Sequence, residues 1–439
     1  MNDVVYVHSR YVHAWFKGTE VIFFHSVSMD ILTGSMVDWD TWRQYEQPQP
    51  MTEEAKAFMD RGLLVKLGDE APERALSELR HRRAESLVNR RRAPTILRIS
   101  LTERCNMGCS YCFQQRIYSG AQPVMSRDTF VKTIMWLFDN AYGQIPSIQY
   151  FGGEPLLRMD LIKLGDAMLK EATNKAALSG YHQSITTNGT LMTDEIANFL
   201  IDNSIGTIFS LDGWKEVNDT KRKFKNGRGT FDDVMGGISR YRKAGGSLSI
   251  LLTVQPDTLS NLKNIVKYCV EELGARTIGI NSPQPTSEGW EVDGRELSDA
   301  IQNIWLYCRD QQIEFFGPGT HIPLNLESKF AQVDRCIDDN PLGSVARWPI
   351  YVSADGRFSM CVVHHNDHRC SLEQESQVRS DSSVAQWHFN STDFEACDTC
   401  IASQICGGPC SLEMLMRPGQ LNTDRCNFYK SLTEWVITQ

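Results

Sequence analysis

The sequence predicts a three-part α/β protein built around a partial (β/α)6 barrel, with a small α+β unit before it and a cysteine-rich unit after it. Three observations carry this expectation. Short apolar, strand-like runs alternate six times with helical stretches beyond Pro94. The region ahead of them mixes strand and helix patterns, and after about Phe315 the alternation gives way to cysteines, glycines and aspartates. At 439 residues the chain exceeds what one ordinary core organises, in line with two or three domains. We expect them at 1–90, 91–318 and 319–439.

Within residues 4–65, apolar runs at Val4–Val7 and Val21–Phe24 suit strands. Asp38–Gln44 and Thr52–Arg61 show helical spacing, and Leu63-Leu64-Val65 reads as a closing strand. From Glu73 to Arg92 the sequence is charged, with little apolar face. A linker helix is expected there, with Arg80, Arg82, Arg83, Arg90, Arg91 and Arg92 on a solvated face. The repeating strands follow at Thr95–Leu101, Ser147–Phe151, Gln183–Thr187, Gly206–Leu211, Ser247–Val254 and Arg276–Ile280. Strands spaced by helices in this rhythm form parallel βα units. If they curl into a barrel, the active site belongs in the loops at their C-terminal ends.

Hydrophobic residues at 41% and charged residues at 23% are near globular averages, and no apolar run approaches the roughly 18 residues a bilayer crossing needs. Met1 to Arg10 lacks the basic-then-apolar order of a signal peptide, so a reducing, cytoplasmic setting is expected. A net charge of -9 argues against general nucleic-acid binding, which rests on a basic footprint. Neither nucleic acid nor membrane is an expected partner. Of the thirteen cysteines, all but Cys269 and Cys308 fall into two groups at ligand spacing, which points to metal rather than disulfides. Cys269 and Cys308 lie in helical stretches at apolar spacing and are expected to be buried small hydrophobes.

The first barrel strand leads through Thr102-Glu103-Arg104 into Cys105-Asn106-Met107-Gly108-Cys109-Ser110-Tyr111-Cys112, a Cys-x3-Cys-x2-Cys run. Three thiolates are one short of the four a 4Fe-4S cluster normally takes, so one iron would stay open to an outside ligand, as in a catalytic metal site. Polar loops follow the next strands in order: Gly152-Gly153-Glu154-Pro155, Thr186-Thr187-Asn188-Gly189, Ser210-Leu211-Asp212-Gly213, and then Asn218-Asp219-x2-Arg222.

The cysteine motif and its place after the first strand resemble the radical S-adenosylmethionine (SAM) superfamily, from roughly Thr95 to Pro283. The resemblance implies a TIM-like radical SAM barrel in which Cys105, Cys109 and Cys112 hold the cluster and SAM's amine and carboxylate fill the open position. Reductive cleavage then releases a 5'-deoxyadenosyl radical that abstracts a substrate hydrogen, and the protein contributes position. It further implies that Tyr111 abuts the adenine. Gly152, Gly153, Glu154 and Pro155 match the family's GGEP segment, whose glycines let backbone approach a ligand and whose carboxylate accepts from SAM's ammonium. Thr187, Asn188, Ser210 and Asp212 match segments that contact SAM's carboxylate and ribose, and Arg222 one that helps hold SAM. Asp212 has the alternative of an Asx-type turn into Gly213, and Asn218 stands where the family usually has His.

Towards the C-terminus come Cys336, Gly356-x4-Cys361, Cys397-x2-Cys400-x5-Cys406-x3-Cys410 and Cys426. These resemble the SPASM domain, which implies two auxiliary 4Fe-4S clusters and so three clusters in all. One would be held by Cys397, Cys400, Cys406 and Cys426. The other would take Cys336, Cys361 and Cys410, with Cys370, a nearby histidine or nothing as its fourth ligand; we expect Cys370. Cys336 lies further from Gly356 than the family's usual gap. His364, His365 and His368 are expected in surface or packing roles.

SPASM enzymes mostly modify peptides or proteins, so the resemblance implies a precursor peptide with a leader as partner and a flavodoxin or ferredoxin as electron donor. The N-terminal order of strand, strand, helix, helix, strand resembles the winged-helix-like, PqqD-like leader-recognition domain, to which a leader can add as an extra strand. Val362 stands where anaerobic sulfatase maturases carry a proton-accepting Asp after the Gly-x4-Cys cysteine. This departure argues against hydroxyl or thiol oxidation and leaves crosslinking, thioether formation, epimerisation and cofactor trimming. The expected reaction is an oxidative crosslink, C–C or ether, with thioether formation possible. A SPASM enzyme acting on a protein residue or small molecule, and a non-catalytic iron-sulfur electron-transfer module, are the alternatives.

Overall fold

The computed structural model describes residues 4–71, 73–78, 94–114, 122–140, 145–281, 291–329, 348–359, 370–371 and 394–439. The N-terminal unit comprises β1 (Val5–His8), β2 (Val12–Lys17), β3 (Glu20–His25), β4 (Asp30–Ser35), a helix at Met36–Arg43, β5 (Gln49–Pro50), a helix at Lys56–Asp60 and β6 (Leu64–Lys66). It forms two antiparallel sheets, β5-β1-β6 and β2-β3-β4. Two strands that the sequence reading lacks, β2 and β4, therefore precede the first helix. Both are half-buried flanks of β3, and the Asp, Thr, Gly and Ser of β4 hide it from an apolar scan. Ser35 ends β4 and caps the following helix: its hydroxyl accepts the Asp38 N–H at 3.3 Å while Asp38 accepts the Ser35 N–H at 2.6 Å.

β3 is apolar and buried on both faces, and its period of two explains why. Val21 and Phe23 pack with Trp42, Phe58, Leu63 and Leu64 in the unit's own core, whereas Ile22 and Phe24 join the main core of the molecule. The N-terminal unit is thereby braced against the larger body. The chain is helical again over residues 73–78, and the rest of the expected linker helix lies outside the described residues.

The main sheet has ten strands, in the order β13-β12-β11-β10-β9-β8-β7-β14-β15-β16. These are β7 (Pro94–Thr102), β8 (Ser147–Gly152), β9 (His182–Thr187), β10 (Ile205–Ser210), β11 (Ser249–Thr253), β12 (Thr277–Asn281), β13 (Glu314–Phe316), β14 (Trp348–Val352), β15 (Arg357–Ser359) and β16 (Cys370–Ser371). The six expected strands are β7 to β12, in parallel and in sequence order. The sheet exceeds six βα units at both ends. Three-residue β13 adds in parallel beyond β12, and β14 returns to pair in parallel with β7 before β15 and β16 turn back. Amphipathic helices cover it; Met159–Asn174, for example, buries Leu161, Ile162, Gly165, Leu169 and Ala172 on one stripe. The last helix, Thr423–Thr438, lies along Gly294–Asp310 so closely that a side chain on Gly294 would collide with the Asp424 carbonyl oxygen.

Candidate active site

The cysteine loop leaves the C-terminal end of β7 and is held by backbone from two sides. Glu103 N–H donates to the Pro123 carbonyl at 2.9 Å, Gly108 N–H to Lys223 at 2.7 Å and Ser110 N–H to Lys221 at 3.2 Å. The 221–224 segment, which includes Arg222 of the Asn218-Asp219-x2-Arg222 run, thus frames the loop. Cys105, Cys109 and Cys112 are free thiols lining one solvent-open cleft, together with Tyr111, Gly152, Gly153, Glu154, Thr187, Asn188, Ser210 and Arg222. Most of the residues singled out in the sequence therefore converge, at the ends of β7 to β10. Thr253, Gln255 and Asn281, from the ends of β11 and β12, line the same cleft. Nothing in their local sequence marks them; only the parallel register of those strands could have.

The Gly152-Gly153 pair lines the cleft and also joins two loops. Side chains there would strike the Thr102 and Arg104 carbonyl oxygens, so the glycines admit the neighbouring protein backbone. Gly153 N–H then donates to Thr102 at 2.7 Å and Glu154 N–H to Arg104 at 2.9 Å, fastening the β8 loop to the entry of the cysteine loop. Pro155 is buried at the start of the short helical turn that follows. The Glu154 carboxylate accepts from the Leu156 N–H at 3.0 Å, the Thr187 hydroxyl at 2.7 Å and the Asn188 N–H at 2.8 Å. Burial outweighs these bonds and pushes it up to about 7. Asn188 extends the chain of contacts: its amide donates to Asn106 at 2.9 Å and lies 3.7 Å from Cys105 Sγ.

On the opposite wall, Tyr111, Asp212 and Arg222 form one buried network. The tyrosine hydroxyl donates to Asp212 Oδ2 at 2.6 Å, Arg222 meets the same carboxylate through Nε at 2.7 Å and Nη2 at 3.1 Å, and the guanidinium lies 5.4 Å from the Tyr111 ring centre. Asp212 also accepts the Thr253 N–H at 3.0 Å. Asn218 supports the corner by accepting the Asp212 N–H at 3.3 Å and donating to Thr230. Asp212 thus spends its oxygens on Arg222, Tyr111 and Thr253.

The C-terminal thiols gather elsewhere. Burial, then the neighbouring Cys406, Cys400 and Cys426, pushes the Cys397 thiol up to about 12, and burial with Cys406 and Cys400 raises Cys426 to about 11. These four lie in one another's field. Cys410 instead caps the helix Ser411–Met416, its N–H donating to Glu413 at 3.1 Å. Cys336, Cys361, Val362 and the three histidines lie outside the described residues, as does the Cys370 side chain, although the Cys370 backbone pairs with Phe358. Cys269 and Cys308 are buried. Among the described residues no three His, Cys, Asp or Glu side chains close around a single metal ion, and no helix is long and apolar enough to cross a membrane.

A parallel α/β sheet whose first strand ends in three free thiols beside a polar cleft defines the class: an enzyme built around a cysteine-held cluster. The comparisons name it. The radical SAM superfamily profile matches residues 99–269. An uncharacterized protein of Methanothermobacter thermautotrophicus is 30% identical over 48% of this chain and 77% of its own length. A second, from Archaeoglobus fulgidus, is 26% identical over 76% of this chain and 79% of its own. The cysteine-type anaerobic sulfatase-maturating enzyme of Clostridium novyi is 28% identical over 38% of this chain and 45% of its own length. Among solved structures, AdoMet-bound anSMEcpe superposes with a TM-score of 0.64 at 19% identity, covering 78% of this chain and 98% of that one. Streptococcus suis SuiB bound to the precursor peptide SuiA superposes at 0.56 and 14% identity, covering 96% and 99%. The chain belongs to the radical SAM superfamily, whose members use SAM and a 4Fe-4S cluster.

The residues present fit that pair. Burial pushes the Cys105 thiol up to about 12, so a thiolate there needs a compensating cation, which a metal cluster provides. The Met107 N–H already donates to Cys105 Sγ at 3.3 Å, the kind of contact that stabilises a cluster thiolate.

Proposed function

We propose that this enzyme matures a ribosomally made precursor peptide, holding its radical-generating cluster on Cys105, Cys109 and Cys112 and installing an oxidative crosslink. When bound, cluster and SAM supply a 5'-deoxyadenosyl radical. Backbone from Lys221 and Lys223 fixes the cysteine loop, and Glu154 ties the β8 and β9 loops behind it so that Asn188 and Thr187 face the cleft. Tyr111, locked by Asp212 and Arg222, presents a rigid ring to the adenine side. Cys397, Cys400, Cys406 and Cys426 hold one auxiliary cluster, and Cys410 serves another with Cys336, Cys361 and Cys370. The 1–90 unit receives the leader, 91–318 houses the radical chemistry and 319–439 the auxiliary clusters, with a flavodoxin or ferredoxin donating electrons in the cytoplasm.

The observation that carries the peptide reading is the fold likeness along 96% of the chain, N-terminal unit included, to a protein solved with its precursor peptide. A crosslink removes two hydrogens, one to 5'-deoxyadenosine and one as a proton with an electron to an acceptor. The test is anaerobic incubation of reconstituted enzyme, SAM and reductant with a precursor peptide encoded beside its gene. Mass spectrometry should show the loss of two hydrogens per event, 5'-deoxyadenosine should form, and C105A should abolish both. An unchanged peptide mass with continued SAM turnover would replace crosslinking by epimerisation or another substrate.

A further inference from the structure

A buried charge that the proposed reaction does not use lies beside the C-terminal thiols. Arg425, one residue before Cys426, is only 5% exposed. The helix it starts is capped by Asn422, whose Oδ1 accepts the Asp424 and Arg425 N–H groups at 3.1 and 3.2 Å and whose Nδ2 donates to Glu413 Oε1 at 3.0 Å. Glu413 is the acid nearest the guanidinium, at 4.0 Å from Nε, but its Oε2 is already engaged by the Cys410 N–H. That distance makes an ion pair without a hydrogen bond. Among the described residues, Arg425 Nε and Nη2 have no acceptor. The guanidinium lies 5.5 Å from the Tyr429 ring centre and within the field of Cys406 and Cys410.

A buried guanidinium with idle donors is unfavourable unless further negative charge faces it. Cysteines that ligate iron do so as thiolates, and arginine cannot shed its proton to relieve the imbalance. We infer that Arg425 is a fixed charge in the field of Cys406 and Cys410 that favours the reduced form of the cluster on Cys397, Cys400, Cys406 and Cys426, and so raises its reduction potential. It acts through the cluster and not on substrate. Net charge and hydrogen bonds to sulfur are the protein's ordinary means of setting such a potential. The inference rests on the auxiliary-cluster assignment proposed above.

The experiment is an EPR-monitored redox titration of the reconstituted full-length chain as wild type, R425Q, R425K and E413Q, with iron and sulfide measured in each. R425Q should lower the midpoint, changing the reduced-to-oxidised ratio at a fixed potential by roughly tenfold, about 59 mV for one electron. R425K, which keeps the charge, should shift less, and E413Q should shift the other way. Equal midpoints in wild type and R425Q at equal iron content would overturn the inference while leaving the cluster assignment standing. Should R425Q fail to load iron, E413Q decides: a raised midpoint sustains the inference and an unmoved one overturns it. Iron for a single cluster in the wild-type chain would remove the auxiliary-cluster reading and this inference together.

Discussion

Asp212 and Arg222 neutralise each other out of reach of water, and removing one partner leaves the other as an uncompensated buried charge. Asp212→Asn is expected to cost about 3–5 kcal/mol of stability and to release the Tyr111 hydroxyl, visible as a lowered thermal midpoint with weakened SAM binding by calorimetry. Glu154 adds a pH dependence of known sign. Its carboxyl, raised by burial to about 7, keeps in the folded chain a proton that the unfolded chain releases near its ordinary value of about 4.3. Its contribution to stability is therefore full below about pH 4 and declines as the pH rises to about 7. In Glu154→Gln the fall of the thermal midpoint across that window should shrink, whatever happens to the midpoint itself. Pairings such as Tyr111 with Asp212, 101 residues apart, could not be read from the sequence, because proximity there is decided by the successive registers that carry the sheet from β7 through β8 and β9 to β10.

Elements made of one strong pattern were legible. The six strands β7 to β12 fall within about two residues of expectation because they recur between helical stretches, and most of them carry apolar, buried residues. The elements that escaped include β5 and β14 to β16 as well as β2, β4 and β13; these last three are short or half-exposed and gain their order from neighbours rather than from their own composition. The letters of the GGEP loop were legible, whereas the clash that its glycines avoid with the Thr102 and Arg104 carbonyls was not, since it exists only once two loops meet. Helix packing yields its own prediction. Gly294→Ala would push Gly294–Asp310 away from the helix that carries Arg425 and Cys426. Overpacking of this kind typically costs about 1–3 kcal/mol. Iron bound through the C-terminal quartet should fall while the Cys105 loop still loads, which iron analysis and EPR of the variant would register.

At the scale of the whole molecule, the C-terminal third completes the sheet begun by the radical-site strand. β14 covers the free side of β7, and beyond it Ala354 N–H donates to Glu103, two residues before Cys105, at 3.2 Å. A chain ending after Lys329 would leave the β7 edge open, and exposed edges invite pairing with other chains. Such a truncation is expected to aggregate on expression and to bind no iron at Cys105, measured by sedimentation and iron content of the soluble fraction.

The closure of β7 also sets a clock on biosynthesis. Glu103 and its partner Tyr351 are 248 residues apart, so a ribosome adding about 5–20 residues per second exposes one long before it makes the other. For a time on the order of tens of seconds the nascent chain displays a strand with one open edge beside three thiols. Chaperone supply and translation speed, as much as iron supply, then govern how much active enzyme a host cell yields.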